Sequence, residues 1–191
     1  MKHVARKRFG QNFLNDETVI DRIISHIAPS SDDILVEIGP GQAALTAPLQ
    51  ESGAELHLIE LDRDLVVRLE ERFADCGNVT IHACDALKAN LADITGGRRC
   101  RLVGNLPYNI STPLLFKLLE LGNQIQDIHV MLQKEVVNRI AAAPGESAYG
   151  RLGVMIQATA RVEPLIDVPP ESFAPAPKEI GRARLNSSHQ I

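Results

Sequence analysis

Ile34-Leu35-Val36-Glu37-Ile38-Gly39-Pro40-Gly41 decides the fold of this chain. The β-branched, mostly apolar run from Ile34 to Ile38 reads as a strand buried on both sides, the kind found in parallel sheets with helices on both faces. The run stops on glycines, which let a backbone approach a ligand where a side chain would clash. Gly39-Pro40-Gly41-Gln42-Ala43-Ala44 also satisfies a loose G-x-G-x-x-G/A pattern, a nucleotide-binding signal when a strand precedes it and a helix follows.

The same alternation extends in both directions. Upstream, Asn15 can cap a helix whose apolar positions Val19, Ile20, Ile23, Ile24 and Ile27 share one face. Downstream, a short helix ends near Gly53, and Leu56 to Leu61 forms a second strand. Leu65, Leu69 and Phe73 mark a helix closed by Gly77, before a third strand from Val79 to Cys84. A fourth strand ends at Asn105, and Ser111 and Pro113 supply an N-cap and first turn for a helix through Leu121. Ile128 to Leu132 is a fifth strand, followed by a helix through Ile140. Strands alternating with helices predict an α/β, doubly wound, mostly parallel sheet. The proline-rich stretch from Asp167 to Lys178 reads as a loop or edge segment.

Ligands of such sheets bind at the carboxyl ends of the strands. Four features fall there: the Gly39–Gly41 turn, Glu60, Asp85 and the loop Asn105-Leu106-Pro107-Tyr108. Glu60 follows the turn by about 20 residues, the offset at which a carboxylate grips two ribose hydroxyls. Asp85 can accept from an adenine amine. The Asn-x-Pro-aromatic loop gathers an amide oxygen, a rigid carbonyl and a ring face around one point, which suits an exocyclic amine on a flat base held outside its duplex. Each feature alone is an ordinary turn or cap; four at successive strand ends point to methyl transfer to an adenine amine. A nicotinamide dehydrogenase would use the turn and Glu60 but leave Asp85 and the Asn-Leu-Pro-Tyr loop without a role.

Composition narrows the classes. With 45% hydrophobic residues in 191, the chain can bury one sizeable core. No apolar stretch approaches the roughly 18 residues that cross a bilayer, and the basic start Met1-Lys2-His3-Val4-Ala5-Arg6-Lys7-Arg8 lacks the apolar part of a signal peptide. Cys76, Cys84 and Cys100 show no paired spacing, so a reduced, cytoplasmic setting without a metal site or a membrane is expected. The net charge of −4 argues against a purely electrostatic nucleic-acid binder, although Lys2, Arg6, Lys7 and Arg8 could contact phosphates.

Lys7-Arg8-Phe9-Gly10-Gln11-Asn12-Phe13-Leu14, Glu37-Ile38-Gly39-Pro40-Gly41, Ile59-Glu60-Leu61-Asp62, Gly104-Asn105-Leu106-Pro107-Tyr108-Asn109-Ile110-Ser111 and Met131-Leu132-Gln133-Lys134-Glu135-Val136-Val137 occur in that order. In this combination, over roughly residues 5 to 178, the chain resembles the ribosomal RNA adenine dimethyltransferases. The resemblance implies a Rossmann-like class I methyltransferase fold with S-adenosylmethionine as donor. Its implied substrate is a pair of adjacent adenosines in a hairpin loop near the 3′ end of 16S rRNA, each dimethylated at N6. The immature small ribosomal subunit would be the partner of a monomeric enzyme. A ribosome-assembly factor that holds the same RNA without turnover is the alternative, less favoured because a pure binder has little use for the Asn-Leu-Pro-Tyr geometry.

By matching motif, Asn12 and Leu14 are implied to close over the cofactor, Gly39 to lie beside its methionine moiety, Glu60 at its ribose and Asp85 at its adenine. Asn105 is implied to serve both cofactor and catalysis. The adenine amine is flat and delocalised, hence a poor nucleophile; hydrogen bonds to the Asn105 oxygen and the Pro107 carbonyl would localise its lone pair. Tyr108 can stack on the base, a contact worth about 1–3 kcal/mol, and Phe173, in the Phe-x-Pro-x-Pro-Lys segment, would cover its other face or plug the core.

Residues 1–178 are therefore expected to form the catalytic domain, with a basic arm over 1–14. After Lys178 the family pattern calls for an apolar strand and a smaller helical domain. Glu179 to Ile191 shows neither period and is expected to be a non-native, unstructured tail, leaving the sheet short of its last antiparallel strand and Arg161 to Val168 poorly protected.

Overall fold

The computed structural model describes residues 12–107, 109–177 and 180–187. Five parallel strands form the centre: β2 (Ile34–Ile38), β3 (Glu55–Glu60), β4 (Val79–Ala83), β5 (Cys100–Asn105) and β6 (Ile125–Gln133). They follow β1 (Phe13–Leu14), which stands outside this sheet, and precede β7 (Ala160–Val168), β8 (Phe173–Ala174) and β9 (Ile180–Ser187). The large sheet has the order β4-β3-β2-β5-β6-β9-β7. Strand order reverses between β2 and β5, since β3 and β4 build one way and β5 and β6 the other.

The central strands are buried on both faces and send alternate side chains to two cores. Val36, Ile38 and Leu102 join Leu114, Leu115 and Leu118 of α5 (Ser111–Glu120), together with Val137 and Ile140 of α6 (Lys134–Ala141). Leu35, Leu56, Leu58 and Val103 face the other way, toward Val19, Ile23 and Ile27 of α1 (Glu17–Ile27) and Leu69 of α3 (Arg63–Arg72). The short α2 (Thr46–Glu51) and α4 (Leu91–Thr95) complete the two layers, and α7 (Arg151–Gln157) packs on α6. At the amino ends of the strands, the Arg101 guanidinium is fixed by Asp127 at 3.0 Å, Asp33 at 2.8 Å and the Ile27 carbonyl at 2.6 Å. Burial alone would raise the Asp127 carboxyl, but hydrogen bonds from His129 and Arg101 hold it well below the usual carboxylate range.

Several boundaries differ from expectation. The cap of α1 is Asp16 rather than Asn15: its carboxylate accepts from the Val19 N–H, while the Asn15 N–H donates to the Ser172 carbonyl. Ser111 opens α5 as its first residue, and Ile110 rather than Ser111 holds the N-cap position. The proline-rich stretch contains the end of β7 and the two-residue β8, which pairs with β1 as a small edge ribbon.

The largest correction concerns the tail. Ile180–Ser187, expected to be unstructured, is β9 and lies antiparallel between β6 and β7. The last antiparallel strand is thus present, and β7 has a partner along its length. The reason is the slot itself: without β9, two long strand edges would face each other with unpaired N–H and C=O groups. Gly181, Ala183 and Leu185 are buried at alternate positions, so the segment carries just enough strand period to fit. Arg184 adds an ion pair to Asp127 at 3.1 Å.

Candidate functional site

A cavity of about 240 Å³ opens at the carboxyl ends of β2, β3, β5 and β6, across the reversal in strand order. Of the expected site residues, Asn12, Leu14, Gly39, Glu60, Asp85, Asn105 and Pro107 line it. Tyr108 lies outside the described residues, as does the basic arm up to residue 11.

The turn after β2 forms the floor. Gly39 and Gly41 have φ of +69° and +58°, a region that L side chains rarely adopt. A Cβ on Gly41 would also come within 3.1 Å of the Phe13 ring, so glycine lets the turn and the β1 segment lie close without the ring having to shift. On the neighbouring strand, Gly104 permits a similar close approach. Its added Cβ would fall 2.8 Å from the Ile38 carbonyl, so glycine lets β5 lie flush against β2 beneath Asn105.

Glu60 ends β3 and is 8% exposed. Its Oε1 accepts the Leu61 and Asp62 N–H groups, both at 2.9 Å, and its Oε2 accepts the Gly41 N–H at 3.3 Å. Burial pushes this carboxyl up, backbone donors pull it down, and Asp62 adds to the upward push. The carboxylate is therefore locked in one orientation along the cavity wall and can still accept hydroxyl donors. Asp85 is framed in a similar way: its Oδ1 accepts the Leu87 N–H at 2.9 Å, and its carbonyl takes the Lys88 and Ala89 N–H groups.

Asn105 donates from Nδ2 to the Asn12 carbonyl at 3.0 Å. That bond ties the β1 segment to the end of β5 and turns the amide oxygen away from Asn12. The β1 segment is held from behind as well. Leu14 pairs with Phe173, and the Ser172 hydroxyl donates to Asp16 at 2.8 Å.

Two expectations need correction. The Pro107 carbonyl accepts the Ile110 and Ser111 N–H groups, each at 3.1 Å, and so begins α5. The neighbouring Leu106 carbonyl takes no hydrogen bond from any described residue, and Leu106 and Pro107 both line the cavity. Phe173 is 4% exposed, packs in the core with Leu14 and does not line the cavity. Of its two readings from sequence, the structure shows the core plug rather than the base cover: β8 turns the ring inward, where it supports the β1 segment.

Sequence reasoning passed over Glu37. It sits in mid-strand, 3% exposed, lines the cavity and accepts from the Thr46 hydroxyl at 2.7 Å. Burial, with Glu60 nearby, pushes its carboxyl up to about 7 despite the Thr46 hydrogen bond. A cation entering the cavity would draw it back toward the ionised form. The signal was available: a carboxylate inside an otherwise apolar buried run demands a partner. Gln133 and Pro177 also line the cavity and carried no such signal.

Comparison with known proteins places this geometry. The family model described as ribosomal RNA adenine dimethylase matches residues 2–181. A ribosomal RNA small subunit methyltransferase A from Methylococcus capsulatus is 54% identical over 180 residues, covering 94% of this chain and 70% of that protein. The protein of the same name from Neisseria meningitidis is 54% identical over 178 residues, covering 93% and 67%. Among solved structures, a dimethyladenosine transferase from Plasmodium falciparum superposes with a TM-score of 0.83 at 28% identity, covering 92% of this chain and 63% of that one. The 23S rRNA methyltransferase ErmE superposes with a TM-score of 0.82 at 26% identity, covering 93% and 70%. The chain thus spans about two thirds of the length of these relatives.

Proposed function

The chain belongs to the ribosomal RNA adenine dimethylase family, and on that footing we propose that it moves methyl groups from S-adenosylmethionine to N6 of two adjacent adenosines near the 3′ end of 16S rRNA, dimethylating each. The small-subunit target follows the name its relatives carry, and the immature subunit is the proposed partner. The observation that carries the chemistry is the convergence, at one cavity, of Asn105, a Leu106 carbonyl that no described residue engages and two buried carboxylates on adjacent strands.

The donor set fits the cofactor. The positive-φ glycine turn offers backbone at close range, Glu60 offers fixed acceptors for paired hydroxyls, and Asp85 can take an adenine amine. S-adenosylmethionine supplies an electrophilic methyl group on a sulfonium, whose departure leaves a neutral thioether. The protein's own task is to prepare the acceptor. In the first transfer Asn105 Oδ1 and the Leu106 carbonyl would each accept a hydrogen bond from the amine, drawing the nitrogen out of conjugation so that its lone pair faces the donor. The methylated nitrogen then sheds one proton to water, and in the second transfer its one remaining N–H keeps one of the two acceptors. The Asn12 carbonyl keeps the Asn105 amide turned for that role. Tyr108 stacks on the base in this proposal. Because no acid is needed to assist the leaving group, holding the reactants in line supplies much of the acceleration.

Asn105→Ala, in a chain extended to its relatives' length, should lower methyl transfer to 16S rRNA by about 10²–10³, the loss seen when one fixed polar group at a reacting centre is removed. RNA affinity should stay nearly intact, because phosphate contacts dominate it. Dimethylation of both adenosines at the wild-type rate would remove the amine-positioning role from Asn105.

A further inference from the structure

Lys117 stands near the end of α5, half-buried, and its ammonium donates to three carbonyls outside its own helix: Ala86 at 3.2 Å, Leu87 at 2.8 Å and Ala89 at 2.6 Å. An ordinary lysine in the last turn of a helix would lie along its own terminal carbonyls or in water. Here all three ammonium protons go into one short loop, and that loop walls the cavity through Asp85, Ala86 and Leu87.

The two ends of this strut differ in stiffness. At one end, α5 grows from the Asn105–Ile110 segment, with the Pro107 carbonyl fixing its first turn and Leu114 and Leu115 fully buried beneath it. At the other end, the loop from Asp85 to Ala89 has its N–H groups taken by Asp85 itself: Leu87 on the side chain, Lys88 and Ala89 on the carbonyl. Three of its carbonyls point instead at Lys117. The loop's donors thus converge on Asp85 and its acceptors on Lys117, so the direction of the Asp85 carboxylate depends on a group from the helix that follows the amine-binding loop.

We propose that Lys117 is a positioning residue: it fastens the Asp85–Ala89 loop to α5 and thereby aims Asp85 at the exocyclic amine of the cofactor's adenine. The inference rests on the functional reading above. It assigns selectivity for the cofactor's base to a side chain that never touches it, and it joins the frame of the cofactor's base to that of the substrate's.

The test compares two ligands by calorimetry at a temperature where every variant is folded by circular dichroism. One is S-adenosylhomocysteine; the other is its hypoxanthine analogue, in which a carbonyl replaces the exocyclic amine. The wild-type chain should prefer the adenine ligand by about tenfold or more, since a carboxylate aimed at an amine rejects an analogue that lacks it. In Lys117→Met the preference should fall to within about threefold, with the loss falling on the adenine ligand. Hydrogen exchange at the Lys88 and Ala89 amides should quicken while amides of β5 stay protected. A global loss of stability would weaken both ligands together and leave their ratio unchanged, so a retained ratio in Lys117→Met overturns the proposal. Should Lys117→Met not fold, Lys117→Gln, whose two amide N–H groups cannot serve all three carbonyls, should give a ratio between those of wild type and the threefold limit; a wild-type ratio there overturns the proposal. A wild-type chain that binds S-adenosylhomocysteine without preferring adenine also overturns it, whereas one that binds neither ligand overturns the functional reading on which it rests.

Discussion

Glu37 and Glu60 share one wall of the cavity, and the charge of Glu60 adds to the cost of ionising Glu37. Their environments then separate them. Glu60 has three backbone N–H donors, so it serves as a fixed acceptor; Glu37 has one hydroxyl and sits near its midpoint at neutral pH. Glu60→Ala should weaken S-adenosylmethionine binding by about 1.5–3 kcal/mol, the worth of a charge-assisted bond to a buried acceptor; unchanged affinity by calorimetry would take Glu60 out of the site. Glu37 makes a pH prediction. Its carboxyl titrates near 4.5 when unfolded and about 7 when folded. The stability this provides is full below about pH 4.5, falls as pH rises toward 7, and is gone above that. The loss is about 3 kcal/mol across that window. In the cofactor-free protein, Glu37→Gln should remove this fall, so the gap between the two unfolding curves should widen from about pH 4.5 to about 7 and then level off; parallel curves would mean Glu37 ionises normally. At this scale the sequence showed Glu60 and Asp85 because one ends a strand and the other stands just beyond one. For Glu37 it carried only the signal of a carboxylate inside a buried run; the partners that settle its state, Thr46 and Glu60, come from the fold.

Elements depend on how closely neighbouring backbones approach. Gly104 is the clearest case, since β2 and β5 touch at the Ile38 carbonyl directly below the cavity. Gly104→Ala should destabilise the fold by about 1–3 kcal/mol, as overpacking does, and should lower activity further by moving Asn105; an unchanged denaturation midpoint would show that the ladder absorbs the methyl. The central elements were legible because β-branched runs, amphipathic spacing and glycine stops agree with one another there. The ends were less so. Asp16 rather than Asn15 caps α1 because the Asn15 backbone is drawn to Ser172, a partner far along the chain. Phe173 turned inward because β8 pairs with β1, and a two-residue ribbon leaves almost no periodic trace.

Over the whole molecule, the sheet is completed by a segment whose own sequence argued against it. The family match ends at residue 181, the second residue of β9, yet β9 pairs along both β6 and β7. Amides from 180 to 187 should therefore exchange slowly, and those of β7 from Arg161 to Val168 with them, the reverse of what the sequence suggests. Fast exchange across 180–187 in a mass-spectrometric time course would mean the slot is open and the edge of β7 exposed. By itself, the sequence determined the parallel α/β core, the nucleotide-binding turn and the chemical character of the site, because hydrophobic period and turn chemistry are local and repeated many times over. Only the tertiary structure decided that no described residue engages the Leu106 carbonyl, that Glu37 meets Thr46 and lies near Glu60, that Lys117 bonds to three carbonyls of the Asp85–Ala89 loop and that β9 exists at all. Each of these depends on which backbone groups are left unpaired once distant segments meet, and that is a property of the assembled fold.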